Sequence, residues 1–311
     1  MVSFRFVPDR TTIPFLRYEH LGYVVSALLI LVSLVLLPTK GLNLGIDFRG
    51  GILIEVRMPD QAPDLGAMRA TLGGLGLGEV ALQEFGEPTD VLIRIERQTG
   101  DEAAQLAAVD VVKAALAEGF GEDISYRRVE FVGPKVSEEL FWAGAQAVIY
   151  ALIAILAYIW FRFEWQFGVG AIVALVHDVI ATLGIFSLLG LEFNLSTVAA
   201  LLTIVGYSLN DTVVIYDRVR ENLRRYKSMI LRDLLDRSIN ETLARTAMTS
   251  LTTLVALTAL FVFGGPVIRG FTFAMIWGVL VGTYSTIFVA TPLLLHLNLR
   301  RESVAPATQT P

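Results

Sequence analysis

Asp211 stands inside an apolar run, Leu195–Ile215, in the stretch Gly206-Tyr207-Ser208-Leu209-Asn210-Asp211-Thr212, and Arg245 opens the next apolar run. A carboxylate at bilayer depth costs about 2.5–3.5 kcal/mol on insertion scales, so it generally has a task and a partner. Consecutive spans are antiparallel, which puts Asp211 and Arg245 at a similar depth. An arginine is long enough to bridge adjacent helices and keeps its charge at any working pH. Tyr207 and Ser208 lie one turn before Asp211, with Asn210 beside it. Thr249 and Thr252 share the face of Arg245. The pattern predicts two facing polar stripes near one bilayer depth. Three behaviours fit them: a permanent ion pair that fixes helix packing, two snorkelling end-of-helix charges without mutual contact, or a carboxylate that takes up and releases a proton while Arg245 answers its change of charge.

A second ionisable pair, His177-Asp178, lies near the middle of another apolar run. Adjacent helical residues point about 100° apart, so the two are not expected to form a single mutual site. Each is read either as a hydrogen-bonded packing residue or as a relay element. No general acid–base pair, Ser/His/Asp set, phosphate-binding loop or metal cluster stands in the sequence, and Gly50-Gly51 before a strand reads as a turn. The expectation is therefore a protein that is not an enzyme and uses neither cofactor nor metal. Driving energy has to come from elsewhere, and one charge crossing 100 mV yields about 2.3 kcal/mol.

These residues need a membrane around them, and the composition supplies one. Of 311 residues 54% are hydrophobic and 18% charged, against about 25% charged in soluble domains. The absence of cysteine excludes disulfides and thiolate ligands. A net charge of −5 argues against a nucleic-acid partner. Six runs are long enough to span: Leu21–Leu37, Phe141–Phe161, Gly168–Leu189, Leu195–Ile215, Thr246–Phe263 and Phe271–Leu295. The fifth is diluted by hydroxyl residues, which suits a helix packed inside a bundle. Gly264-Gly265-Pro266 separates it from the sixth. Pro38-Thr39-Lys40, rather than a small-residue cleavage site, follows the first run, which is read as a retained span.

Charge bias orients the spans. Arg5, Arg10 and Arg17 precede the first, Arg300 and Arg301 follow the last, and the 216–244 connection carries seven basic residues. The positive-inside rule puts both termini and that connection in the cytoplasm. The resulting division is a cytoplasmic N-terminus (1–20), a first transmembrane helix (21–37) and a periplasmic domain (38–140). Five further transmembrane helices (141–299) and a cytoplasmic tail (300–311) follow. Within 216–244, Ile230, Leu231, Leu234 and Leu235 alternate with charges, reading as an amphipathic helix on the cytoplasmic surface, either a connector or a docking face for a partner.

The outer segment has its own pattern. Strands are expected at Ile52–Met58, Val80–Phe85, Val91–Arg97 and Ile124–Val132, and helices at Pro63–Leu75 and Asp101–Glu118. The order βαββαβ is the ferredoxin-like arrangement. The fold class is thus a polytopic α-helical membrane protein with one extracytoplasmic α+β domain.

Gly45-Ile46-Asp47-Phe48-Arg49-Gly50-Gly51 after the first span, Val132-Gly133-Pro134-Lys135-Val136-Ser137 before the second, and the stretch from Gly206 to Arg225 together resemble the SecF family, over essentially the whole chain. Members are the smaller subunits of the SecD–SecF accessory complexes of bacterial protein export. One departure is Arg49, where members often have Thr. The resemblance implies a half bundle of the resistance-nodulation-division type, completed by SecD, in the bacterial inner membrane. It implies coupling of the proton-motive force to late steps of preprotein translocation, with SecYEG, the emerging periplasmic preprotein and YajC as partners. It matches Asp211 and Arg245 to the family's proton path, and His177 and Asp178 less directly. Two other readings remain at this point: a scaffold that stabilises SecD and the channel, and a half-transporter that exports lipid or small molecules.

Overall fold

In the computed structural model the described residues are 11–59, 62–100, 102–265, 267–297 and 299. Arg5, Arg10, Asp101, Pro266 and the tail 300–311 lie outside them. A 3-10 turn, Phe15–Tyr18, leads into α1 (Glu19–Thr39). A two-residue strand β1 (Asn43–Leu44) and a single helical turn α2 (Ile46–Arg49) follow. The segment outside the six spans forms an outer domain of β2 (Gly51–Arg57), α3 (Leu65–Gly73), β3 (Val80–Phe85), β4 (Glu87–Ile95), α4 (Glu102–Phe120) and β5 (Ser125–Val132). The remaining elements are α5 (Pro134–Arg162), α6 (Trp165–Leu189), a short β6 (Glu192–Phe193), α7 (Leu195–Arg225) and α8 (Leu231–Phe263). The last are α9 (Arg269–Ser285), a π-helical turn (Thr286–Ala290) and α10 (Thr291–His296). Six helical segments among the described residues are long and apolar enough to cross a membrane, and they coincide with the six predicted runs.

The outer sheet has the order β3-β4-β2-β5 with every neighbour antiparallel, the expected βαββαβ topology. Ile52, Ile54 and Val56 of β2 alternate toward a core shared with Met68 and Leu72 of α3 and Val109, Val112 and Leu116 of α4. Leu53 points the other way, into a small cluster with Ile46 and Leu92. Burial on both faces is why Ile52, Leu53 and Ile54 run apolar in succession within β2. Asp64 caps α3 by accepting from the Gly66 and Ala67 amides at 2.7 and 3.2 Å. Gly50 and Gly51 have φ of 71° and 117°. A Cβ on Gly51 would fall 2.6 Å from the Ile95 carbonyl oxygen, so this turn admits only glycine.

Two boundaries differ from the sequence expectation. The second span begins at Pro134, since a proline at the first helical turn has no amide to satisfy; residues 134–140 are therefore the outer turns of α5. The amphipathic segment after α7 is not a separate surface helix. It forms the first turns of α8, and its apolar residues Leu234, Leu235 and Ile239 are buried with Leu16, Ile215 and Val219. Its polar residues clamp the N-terminal segment: Asp236 accepts from the Leu16 amide at 2.9 Å, and Asn240 exchanges bonds of 2.9 and 2.8 Å with the Ile13 backbone. The amphipathic face is thus used inside the chain. In the bundle itself, α6 crosses α1 at Gly184, where a Cβ would sit 2.9 Å from the Ser33 Cα.

Asp90 on β4 is fully buried and receives Arg57 of β2 in two bonds of 2.5 and 2.6 Å, with Arg127 of β5 at 3.5 Å. The Arg57 hydrogen bond holds its carboxyl below the ordinary value of 3.8. A depressed carboxylate contributes stability that is present above the unfolded value and lost as pH falls through the folded one. Amide hydrogen exchange of the β2–β4 pair should show constant protection from neutral pH down to about 4, then a decline below it. The substitution Asp90→Asn should lower protection at neutral pH by about 2 kcal/mol and abolish the acid decline.

Candidate functional site

The intramembrane polar residues gather on α6, α7 and α9. Asp178 is fully buried. Its Oδ2 accepts hydroxyl bonds from Ser208 of α7 at 2.6 Å and Ser285 of α9 at 2.9 Å. Its Oδ1 lies 3.0 Å from His177 Nδ1. The expectation that His177 and Asp178 form no mutual site is therefore corrected. The 100° between their Cα–Cβ bonds is closed by the two side chains turning toward each other. His177 is 5% exposed, its Nε2 has no hydrogen-bond partner, and its ring stands 6.2 Å from that of Tyr284.

One turn beyond Ser208 the polar line continues. Thr212 bonds Thr286 at 2.9 Å and the Ser208 carbonyl at 3.1 Å. Thr286 begins the π-helical turn. The widened turn is held by Thr291 Oγ1 on the Thr286 carbonyl at 2.8 Å and by the Tyr216 hydroxyl on the Ala290 carbonyl at 3.0 Å. Single π turns inside α-helices are frequent at functional sites. Pro292 is the sequence signal for this one, because its ring clashes with the carbonyl four residues back and forces the preceding turn open. Ser285, Thr286, Thr212 and Tyr216 are the members of this cluster that sequence reading missed, since hydroxyls scattered through apolar runs look like ordinary packing residues.

Asp211 is 2% exposed, and its Oδ2 is buried without a hydrogen-bond partner. Arg245 on α8 is close enough to act on it electrostatically, yet no ion pair within 4.0 Å joins them among the described residues. The permanent ion pair is thus not formed in this structure. Arg245 is exposed and its guanidinium makes no hydrogen bond or ion pair among the described residues. The facing stripes are met in part. Tyr207 reaches across to Ser250 of α8 at 3.4 Å, and Ser250 bonds Thr283 of α9 at 2.9 Å. Ser208 serves Asp178 instead of Asp211. Thr249 and Thr252 bond to carbonyls of their own helix, and Asn210 is exposed.

The outer end of α7 is tied to the foot of the outer domain. Asp47 accepts from the Leu195 amide at 2.8 Å, a cap on the helix that carries Asp211. Asn194 and Thr197 form a capping box beside it. β1 and β6 pair in parallel. Arg94 of β4 bonds Glu192 at 2.5 Å and Asn43 at 2.9 Å, and Phe48 packs against Phe141 and Phe193 at 6.0 and 5.9 Å. The motif Gly45 to Gly51 is therefore a joint between the sheet and α7, a role its sequence does not disclose.

Comparison with known proteins agrees with this arrangement. Residues 111–300 match the family described as "Protein export membrane protein SecD/SecF, C-terminal", and residues 35–58 match "SecD/SecF GG Motif". The chain is 48% identical over 290 residues to the protein translocase subunit SecF of Rickettsia rickettsii, covering 93% of each. It is 47% identical over 305 residues to that of Rickettsia prowazekii, covering 98% of this chain and 97% of the relative. Among solved structures it is similar to SecDF from Thermus thermophilus, with a TM-score of 0.84 and 36% identity over 94% of this chain and 39% of the other. Against SecDF in a super-membrane-facing form the TM-score is 0.65 at 35% identity, again with 39% of that chain covered. The chain accordingly spans about two fifths of the length of the SecDF chains it matches. A six-span bundle, a ferredoxin-like outer domain and the joint between them thus accompany whole-length similarity to translocase subunits: the chain belongs to the SecD/SecF family of protein-export membrane proteins, on the SecF side.

Proposed function

We propose that the protein couples proton entry to late steps of preprotein translocation, with Asp211 as the proton-carrying group and Arg245 as the residue that answers its charge. The observation that carries this reading is the buried, unpartnered Oδ2 of Asp211 facing an arginine that is near but not bound. A buried polar atom without a partner is rare and calls for an explanation. A carboxylate locked in a static pair would have its oxygens satisfied, as those of Asp178 are. Charged Asp211 attracts Arg245, and protonation releases it. One proton falling through 100 mV supplies about 2.3 kcal/mol, enough to shift a two-state helix arrangement about fiftyfold.

The joint at Asp47 gives that shift a route outward. Asp211 lies sixteen residues into α7, so about 24 Å of rigid helix separates it from the cap. A tilt of α7 moves Glu192 and Asp47, and with them Arg94 and the sheet. The outer domain would then act on the emerging preprotein in the periplasm. His177 and Asp178 border the proposed proton pathway, Asp178 as the fixed anchor that holds α6, α7 and α9 together around it, with Tyr207, Ser208, Asn210, Thr249 and Thr252 as its polar stripe. In this reading both termini and the α7–α8 loop lie in the cytoplasm and residues 38–140 in the periplasm, which the basic residues of the 216–244 connection support. The SecD partner docks on the face formed by α7 and α8. There Ser196, Ala199, Thr203, Gly206 and Asn210, together with Arg245, Thr252, Ala256 and Ala259, are exposed. Small and polar residues of this kind suit helix–helix contact and not lipid. SecYEG and YajC are the further partners of this reading.

Three measurements test it. In vesicles containing the complex and the channel, Asp211→Asn should reduce gradient-driven export to the level seen with the gradient collapsed, at normal complex abundance. Export that persists would leave the protein as a scaffold. The cap variant Asp47→Ala should cost about 1 kcal/mol of local stability at the start of α7 and weaken gradient-driven export with the membrane residues intact. Combining it with Arg94→Ala should add little, because the two act through one joint. Finally, Asp178→Ala removes two hydroxyl bonds and the contact with His177 and should lower thermal stability of the complex by about 3 kcal/mol. The Asp178→Asn variant should recover part of that stability.

A further inference from the structure

Where the last turns of α5 and α7 meet, a cavity of about 490 Å³ is lined by Arg162, Arg220, Arg224 and Arg225 with Asp217 and Glu221. The carboxylates are already engaged. Arg162 holds Asp217 at 3.0 and 3.3 Å, and Arg218, outside the cavity, holds Glu221 at 2.6 Å. Four guanidinium groups against two carboxylates leave an excess of two positive charges within the lining. Arg162 and Arg220 are fixed over the ring of Phe163 at 5.0 and 5.3 Å, and Arg225 over Tyr226 at 5.3 Å. Arg224 makes no hydrogen bond, ion pair or ring contact among the described residues. Clustered like charges repel one another unless an anion joins them, and guanidinium forks match the oxygens of phosphate.

The surroundings select the kind of phosphate. Trp160, Phe161 and Trp165, at the same ends of α5 and α6, are 68%, 93% and 53% exposed. Aromatic side chains at a span's end mark the level of lipid headgroups. A ligand entering this cavity has arginine on one side and hydrocarbon on the other, which fits an amphiphile and not a soluble anion. We propose that the cavity binds the headgroup of an anionic phospholipid, its acyl chains lying along Trp160 and Phe161. A lipid with two phosphates in one molecule, such as cardiolipin, matches the excess of two charges. None of the groups proposed to handle protons lines the cavity. Bound there, the lipid would bridge α5 to α7, the helix that carries Asp211.

Native mass spectrometry of the complex with its SecD partner, in mild detergent with added lipid, tests this. Cardiolipin should be retained more than phosphatidylglycerol, and phosphatidylethanolamine least. Each of Arg224→Ala and Arg225→Ala should weaken cardiolipin retention about fivefold, and the triple variant that adds Arg220→Ala about a hundredfold. The change Arg224→Lys should keep most of it, and Arg69→Ala on the exposed face of α3 should change nothing. Retention of SecD and a single elution peak report that each variant is assembled, and the single variants carry the test if the triple one does not assemble. Equal retention by wild type and variants, equal retention of phosphatidylethanolamine, or complete displacement by millimolar inorganic phosphate would overturn the proposal.

Discussion

Burying a carboxylate away from water is costly unless its oxygens are satisfied, and Asp178 meets that demand by drawing on three helices. Its partners come from α6, α7 and α9. Lipid offers no competing donors, so this one acceptor fixes the depth and rotation at which the helices cross. The close approaches follow from it. Ser208 reaches Asp178 because Gly282 of α9, whose Cβ would be 3.0 Å from the Ser208 Cβ, leaves room. Thr212 then meets Thr286, and Tyr216 meets the π-helical turn, each about one turn further along α7. The sheet outside the membrane inherits its position from the same helix through the cap on Leu195.

The contrast between Asp178 and Asp211 underlies the roles proposed for them. Both are buried, and they are carried on neighbouring helices. Asp178 has hydrogen-bond partners on both oxygens, and displacing it would break contacts among three elements. Asp211 has an orphaned oxygen and an exposed arginine beyond bonding distance. A switch needs a group whose two charge states differ in energy by an amount a membrane potential can supply. A fully bonded anchor is too deeply committed for that. On the proposed reading the fold separates the two roles an intramembrane carboxylate can have, structure for Asp178 and exchange for Asp211, within one turn of α7.

Much of this was legible in the sequence because a bilayer leaves few choices. Long apolar runs gave all six spans, and alternation with glycine punctuation gave the outer strands in order. Asp211 and Arg245 stood out by their cost alone. What the sequence hid was interaction between elements far apart in the chain. Asp47 and Leu195 are 148 positions apart, as are Lys40 and the Leu188 carbonyl it bonds, and no local pattern announces such contacts. The His177–Asp178 contact was misjudged because Cβ directions were considered without rotamers. The amphipathic segment of α8 was misread for a related reason: a hydrophobic face states that something covers it, but not that the cover is Leu16 and Val219 of the same chain.

The exposed face of α7 and α8 carries the argument one step further. An arginine at the centre of a lipid-facing helix costs about 2.5–3.5 kcal/mol, and the exposed Arg245 is joined on this face by the exposed amide of Asn210. A chain of this kind is stable in a bilayer only with that face covered. The cover must itself be polar or small, since an apolar helix would leave Arg245 without a partner. A partner that completes the bundle therefore also completes the electrostatic surroundings of Asp211. In the proposed coupling, assembly and proton movement become one physical event, because the residue whose exposure demands a partner is the one proposed to answer the proton.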